Sequence, residues 1–231
     1  MISTSSVKNN RVAWIVLSAI LASWTALGYL TLERFPPWSS DEAFNLNGAW
    51  TSVKTGRIVA GFESDFFLDA VKAPRIGDGG SRPEPFQVRA HPPLRWSVRL
   101  FGPTVRAARL PSLAAGLALL CLVAALGWRL GGPWAGVAAG GLAAIQPLIW
   151  LTSHSARTEI ALAVLVSAAL LLLYQGERPG RWSSAAAGLL VGLGPFLHPN
   201  GALLAAPVAL ALVVRGGGIF PFLAGLAVGW A

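Results

Sequence analysis

The feature that most limits this chain is a series of apolar blocks, each near the length of about 20 residues that an α-helix needs to cross a bilayer. The first runs from Val12 to Leu32 and follows Lys8 and Arg11. It is longer than the core of a signal peptide, and no clear small-x-small cleavage site follows it. An uncleaved first span is therefore expected. Further spans are expected over Ala107–Leu130, Trp134–Leu151, Ile160–Tyr174, Ser184–Leu197, Ala202–Val214 and from Ile219 onward. The blocks are continuously apolar rather than alternating, which points to helices and excludes a membrane barrel. Only 12% of the residues are charged, about half the share in a soluble domain. The expected fold is thus an all-α integral membrane protein, a bundle of about seven spans.

Charge patterning orients the bundle. If the N-terminus is cytoplasmic, Arg129, Arg178, Arg181 and Arg215 all fall on the cytoplasmic side, as the positive-inside rule requires. The segment 33–106 then lies outside, between a first span at 12–32 and the remaining spans at 107–231. The formal net charge is +8, and most of the Arg and Lys residues lie in that segment and at span ends, which suits lipid phosphates and topology rather than nucleic acid. Cys121 is the sole cysteine, so a disulfide framework is excluded. The run "GLAVGWA" has no polar flank, and the chain reads as the N-terminal part of a longer one. The pairs Gly136/Gly140, Gly188/Gly192 and Gly225/Gly229 have the small-xxx-small spacing of close helix packing.

Eight of the ten acidic residues lie between Glu33 and Glu84, so the outer segment is where chemistry is sought. In "FPPWSSDEAFNLNGAW", Ser39 and Glu42 have capping-box spacing, and Asp41 and Glu42 suit a helix N-terminus. Leu46, Ala49, Trp50 and Val53 then recur at helical spacing, predicting a short interfacial helix. In "HPPLRWSVRLFG", Leu94, Val98 and Phe101 form an apolar stripe, and Arg95 and Arg99 share a face one turn apart, an arrangement suited to phosphate. The loop "TSHSARTE" places His154, Arg157 and Glu159 at the mouth of two spans, where ionisable groups suggest function. The plainer alternatives are an N-terminal cap, an Arg157–Glu159 surface pair and, for His198 in "LHPNG", a turn residue. His91, His154 and His198 lie in separate loops without the spacing of a metal motif. The chain contains no Walker or nucleophile-elbow motif.

Read in order, the span followed by "SSDEAFNLNGA", then "HPPLRW", "AARLPSLAAGLALL" and "AAIQPLIWLTSHSARTEIALAVLV" resemble the N-terminal half of GT-C glycosyltransferases. The nearest group uses polyprenyl-phosphate sugars: protein O-mannosyltransferases, lipid A aminoarabinose transferases and RgtA/B/C/D-like enzymes. The resemblance implies Asp41 as general base, with Glu42 beside it. It implies substrate contacts from His91, Arg95, Arg99, His154, Arg157, Glu159 and His198, and no nucleotide or redox cofactor. The partners implied are a polyprenyl-phosphate sugar donor, a glycan, lipid or protein acceptor, and membrane lipids. The location implied is the cell membrane, multi-pass, of the bacterial inner-membrane kind. "SHSARTE" departs from the Ser-Arg-x-x-Arg-Pro usual in the family after the third span, with His154 replacing the first Arg. The competing readings are a transporter or flippase for a lipid-linked or anionic substrate, and a membrane-anchored interaction protein.

Overall fold

In the computed structural model the residues described are 4–37, 39–55 and 92–230, and among them there is no strand. Helix α1 spans Thr4–Thr31, α2 Ser40–Thr55, α3 Pro92–Phe101 and α4 Val105–Gly131. They are followed by α5 at Pro133–Ala144, α6 at Pro147–Ser153, α7 at Glu159–Leu173 and α8 at Arg181–Gly192. A single turn at Gly194–Leu197 and a 3-10 stretch at Pro199–Leu204 lead into α9, Ala205–Val214, and α10, Ile219–Trp230.

Among the described residues two helices are long and apolar enough to cross a membrane, within Asn10–Thr31 and Val105–Gly131. The span expected over Trp134–Leu151 is instead broken: α5 and α6 meet at a 66° bend. Pro147 cannot donate to the preceding turn and starts a new helix, and Gln146 caps it by accepting from Leu148 N at 3.0 Å. If this bent pair is one span, there are three. The segments expected at Ile160–Tyr174, Ala202–Val214 and Ile219 onward are apolar helices shorter than that length. The middle of the outer segment, 56–91, lies outside the described residues.

Helix α4 is the centre of the packing. Its apolar face meets α1 and α5 through Trp24, Leu32, Leu113, Leu120 and Ala143, and lower down through Ala13, Leu17, Ala124 and Val137. A second core joins α7, α8, α9 and α10 around Ala169, Leu173, Ala187, Val208, Leu212 and Phe222. The glycines flagged by their spacing sit where helices touch. A Cβ at Gly225 would collide with the Ala185 carbonyl, and one at Gly188 with the Phe222 carbonyl. Backbone contact of this kind is how helices associate where lipid supplies no hydrophobic drive. Gly225→Val is expected to separate α8 from α10 and lower the thermal midpoint in detergent by several degrees, read by differential scanning fluorimetry. A midpoint unchanged from wild type would contradict this packing.

A smaller cluster caps α4. Leu46 and Ala49 of α2, Leu94 and Val98 of α3, Ala108 of α4 and Ala156 close a local core. Phe101, expected in the same stripe, is 61% exposed, because α3 ends there and Gly102 turns the chain at φ 78°. Pro111 inside α4 lacks the N–H that would bond the Ala107 carbonyl. Ser97 of α3 uses that freed acceptor, donating through Oγ at 2.6 Å. The proline thus creates the attachment point for α3.

Candidate active site at one end of the bundle

The site is built on the first turn of α2. Ser39 and Glu42 form the expected capping box: Glu42 N donates to Ser39 Oγ at 3.3 Å, and Ser39 N donates to Glu42 Oε2 at 3.2 Å. Glu42 is fully buried. Its carboxylate receives the guanidinium of Arg109 side-on, Nε to Oε1 at 2.8 Å and Nη2 to Oε2 at 2.9 Å. The Ala156 backbone N–H adds a further bond to Oε1 at 2.8 Å. Arg109, also fully buried, donates to the Leu32 carbonyl at 2.8 Å and the Pro36 carbonyl at 2.9 Å. A buried charge pair is tolerated only when its remaining donors and acceptors are satisfied, and this one is.

This node gathers the sequence motifs. The end of α1, the start of α2, the "ARLP" of α4 and the "SHSARTE" loop meet at Glu42 and Arg109. Asn45 Nδ2 also donates to the Ala156 carbonyl at 2.8 Å, so α2 holds that residue by both its N–H and its C=O. Arg109 was only a motif member in the sequence and had no assigned role. An arginine at the third position of an apolar block, in a chain with an acid pair to match it, is the signal that could have found it.

The acidic and arginine candidates fall into three positions. Glu42 has both oxygens engaged, a geometry of holding rather than of proton exchange. Asp41 precedes it in the same helical turn; its side chain, like all of His91, lies outside the described residues. Arg157 follows Ala156, with its side chain 45% exposed and an ion pair to Glu159 at 3.0 Å. It lines a recess of about 100 Å³ with Pro93, Leu94, Ser112 and Leu197. Arg95 and Arg99 line a different groove, between α2 and α3.

His154 does not stand at an open mouth. It is fully buried, stacked on Trp150 at 4.1 Å and edge-on to Trp24. Its Nδ1–H donates to the Trp150 carbonyl at 2.7 Å, since a carbonyl can only accept. The absence of a side chain at Gly28 makes room for it; a Cβ there would stand 3.2 Å from Nε2. His198 is half-buried, and its Nδ1 accepts from Asn200 N at 3.1 Å, the turn-residue alternative. Among the described residues no cluster of three His, Cys, Asp or Glu side chains could hold a metal ion.

Beside the node lies an apolar groove of about 910 Å³ between α1 and the α5–α6 bend, lined by Ile15, Ile20, Trp24, Phe35, Ile145 and Trp150 among others. It runs along α1 to Phe35, next to the carbonyl of Pro36 that Arg109 holds.

Residues 93–227 match the family described as dolichyl-phosphate-mannose-protein mannosyltransferase. The match takes in more than half of the chain, and the chain belongs to that family, within the GT-C glycosyltransferases. No curated protein and no solved structure matches. Membership makes the chain a membrane glycosyltransferase module whose donor, at the level of the family, is a dolichyl-phosphate sugar, and it does not favour a transporter. The matched region holds Arg95, Arg99, Arg109, His154, Arg157, Glu159 and His198. Asp41 and Glu42 precede it, and the Glu42–Arg109 pair ties them to it.

Proposed function

We propose that the protein transfers a sugar from a polyprenyl-phosphate donor to an acceptor hydroxyl on the outer face of the cell membrane, with Asp41 as general base. The acceptor oxygen attacks the anomeric carbon as Asp41 takes its proton. The bond from that carbon to the phosphate oxygen breaks, and the polyprenyl phosphate leaves with the electron pair. Arg157 is the cation for the departing phosphate, and Glu159 orients it. In this reading Glu42 and Arg109 are positioning residues that fix the first turn of α2.

The observation that carries the reading is the Ala156 backbone. Glu42 and Asn45 grip it from α2, so the turn bearing Asp41 and the loop bearing Arg157 are held as one unit. General-base and electrostatic catalysis both depend on such fixed placement. The apolar groove along α1 suits an isoprenoid chain whose phosphate ends near the node. The topology that goes with this function has the N-terminus in the cytoplasm, about seven spans and residues 33–106 outside.

Arg157→Ala in the full-length protein is expected to raise the apparent donor requirement more than about tenfold, since a charge-assisted contact contributes roughly 1.5–3 kcal/mol. Transfer measured against donor concentration in proteoliposomes reads this directly. An unchanged requirement would leave Arg157 as a surface partner of Glu159.

A further inference from the structure

The groove between α2 and α3 is separate from the node and has its own chemistry. It measures about 420 Å³ and is lined by Ser52, Val53, Pro92, Arg95, Trp96 and Arg99. Two polar atoms at it are buried without a hydrogen-bond partner: Ser52 Oγ, on a residue 1% exposed, and Arg95 Nε. Buried polar groups are ordinarily bonded, so each unpartnered one calls for an explanation. Arg95 and Arg99 stand one turn apart on the same face, where like charges repel. No acid among the described residues forms an ion pair with either. A hydroxyl and two guanidinium groups converging on one cavity make a phosphate site, since arginine binds phosphate through paired N–H donors.

The neighbouring stripe of the same helix says what carries the phosphate. Trp96 and Leu100, again one turn apart, are 64% and 67% exposed, and Phe101 is 61% exposed. Helix α3 joins the start of the membrane-spanning α4 through Gly102, Pro103 and Thr104, which places it at the depth of lipid headgroups. A phosphate in the groove would thus have apolar side chains beside it where acyl chains lie, and tryptophan is enriched at that depth. We propose that the α2–α3 groove binds the phosphate headgroup of an anionic phospholipid from the surrounding membrane. The phosphate bridges Ser52 of α2 and the two arginines of α3, while the acyl chains cover Trp96, Leu100 and Phe101. Bound lipid therefore braces α2 against α3. The site does not depend on Asp41 being a base, and the two proposals can fail independently.

The test uses the full-length protein in detergent, titrated with dioleoylphosphatidylglycerol, dioleoylphosphatidylcholine or inorganic phosphate, with the thermal midpoint as readout. A ligand that binds only the folded state raises the midpoint. Phosphatidylglycerol is expected to raise it by at least about 3 °C, and the other two to leave it nearly unchanged. The shift should vanish in Arg95→Gln/Arg99→Gln and shrink in Ser52→Ala, which removes the hydroxyl and adds no bulk. It should persist in Arg178→Gln/Arg181→Gln, which lowers net charge equally at a distant loop. Loss of the shift in that control would show attraction to basic charge in general and overturn the site. An equal shift with inorganic phosphate would mean a free-anion site, and an undiminished shift in the Arg95/Arg99 variant would remove the groove from the account.

Discussion

Asp41→Asn is expected to lower sugar transfer by at least about a hundredfold, because a general base typically contributes 10²–10⁴-fold. Asparagine keeps the size and the local hydrogen bonding of aspartate, and it is as good a residue near a helix start. The helix-dipole interaction it gives up is worth only about 0.3–1 kcal/mol. The capping box of Ser39 and Glu42 and the clamp on Ala156 are untouched by the change. The variant should therefore accumulate in membranes like wild type and melt within a degree or two of it. Turnover at saturating donor and acceptor, normalised to protein in the membrane, separates the outcomes. Wild-type turnover in Asp41→Asn would reduce the acid to a helix-start residue.

Arg109→Met should act on the fold as well as on activity. Methionine fills the space of the side chain but leaves the Glu42 carboxylate fully buried without its countercharge, and the Leu32 and Pro36 carbonyls lose their donor. Breaking a buried pair from one side costs about 3–5 kcal/mol, a large part of the 5–15 kcal/mol that typically holds a domain folded. Accumulation in membranes should fall severely. The double variant Arg109→Met/Glu42→Met removes the stranded charge and should recover much of that loss, since apolar replacements of both partners are often tolerated. It should not recover transfer, because Ala156 and Ser39 lose their acceptor and the first turn of α2 is no longer tied to the Arg157 loop. Transfer restored together with stability would mean that the pair only fills space.

What the sequence made legible was local. The members of the Ser39–Glu42 capping box are three residues apart, those of the α3 arginine pair four, and the glycine pairs repeat at four, and each spacing holds in the structure. The first span and the α4 span were legible as apolar length alone. The Glu42–Arg109 pairing was not, because its partners lie 67 residues apart: an arginine at the head of an apolar block calls for an acid without saying which one. His154 looked exposed because the polar loop around it is exposed in sequence terms. Its burial depends on Gly28 of α1 and on Trp24 and Trp150, which only the tertiary packing brings to it. The break at Pro147 was hidden by hydropathy, which adds up apolar residues without regard to whether each can donate its N–H. Phe101 carried the right periodicity, but it is the last residue of its helix, and the chain turns away at Gly102.

The most direct test of the central claim is transfer of labelled sugar by membranes containing the full-length protein, with polyprenyl-phosphate sugars and nucleotide sugars supplied in parallel. The account predicts label on an acceptor from a polyprenyl-phosphate donor, abolished in Asp41→Asn, and none from a nucleotide donor in membranes depleted of lipid-linked sugars. Label arriving from the nucleotide sugar alone, or at equal rate in Asp41→Asn, would contradict it.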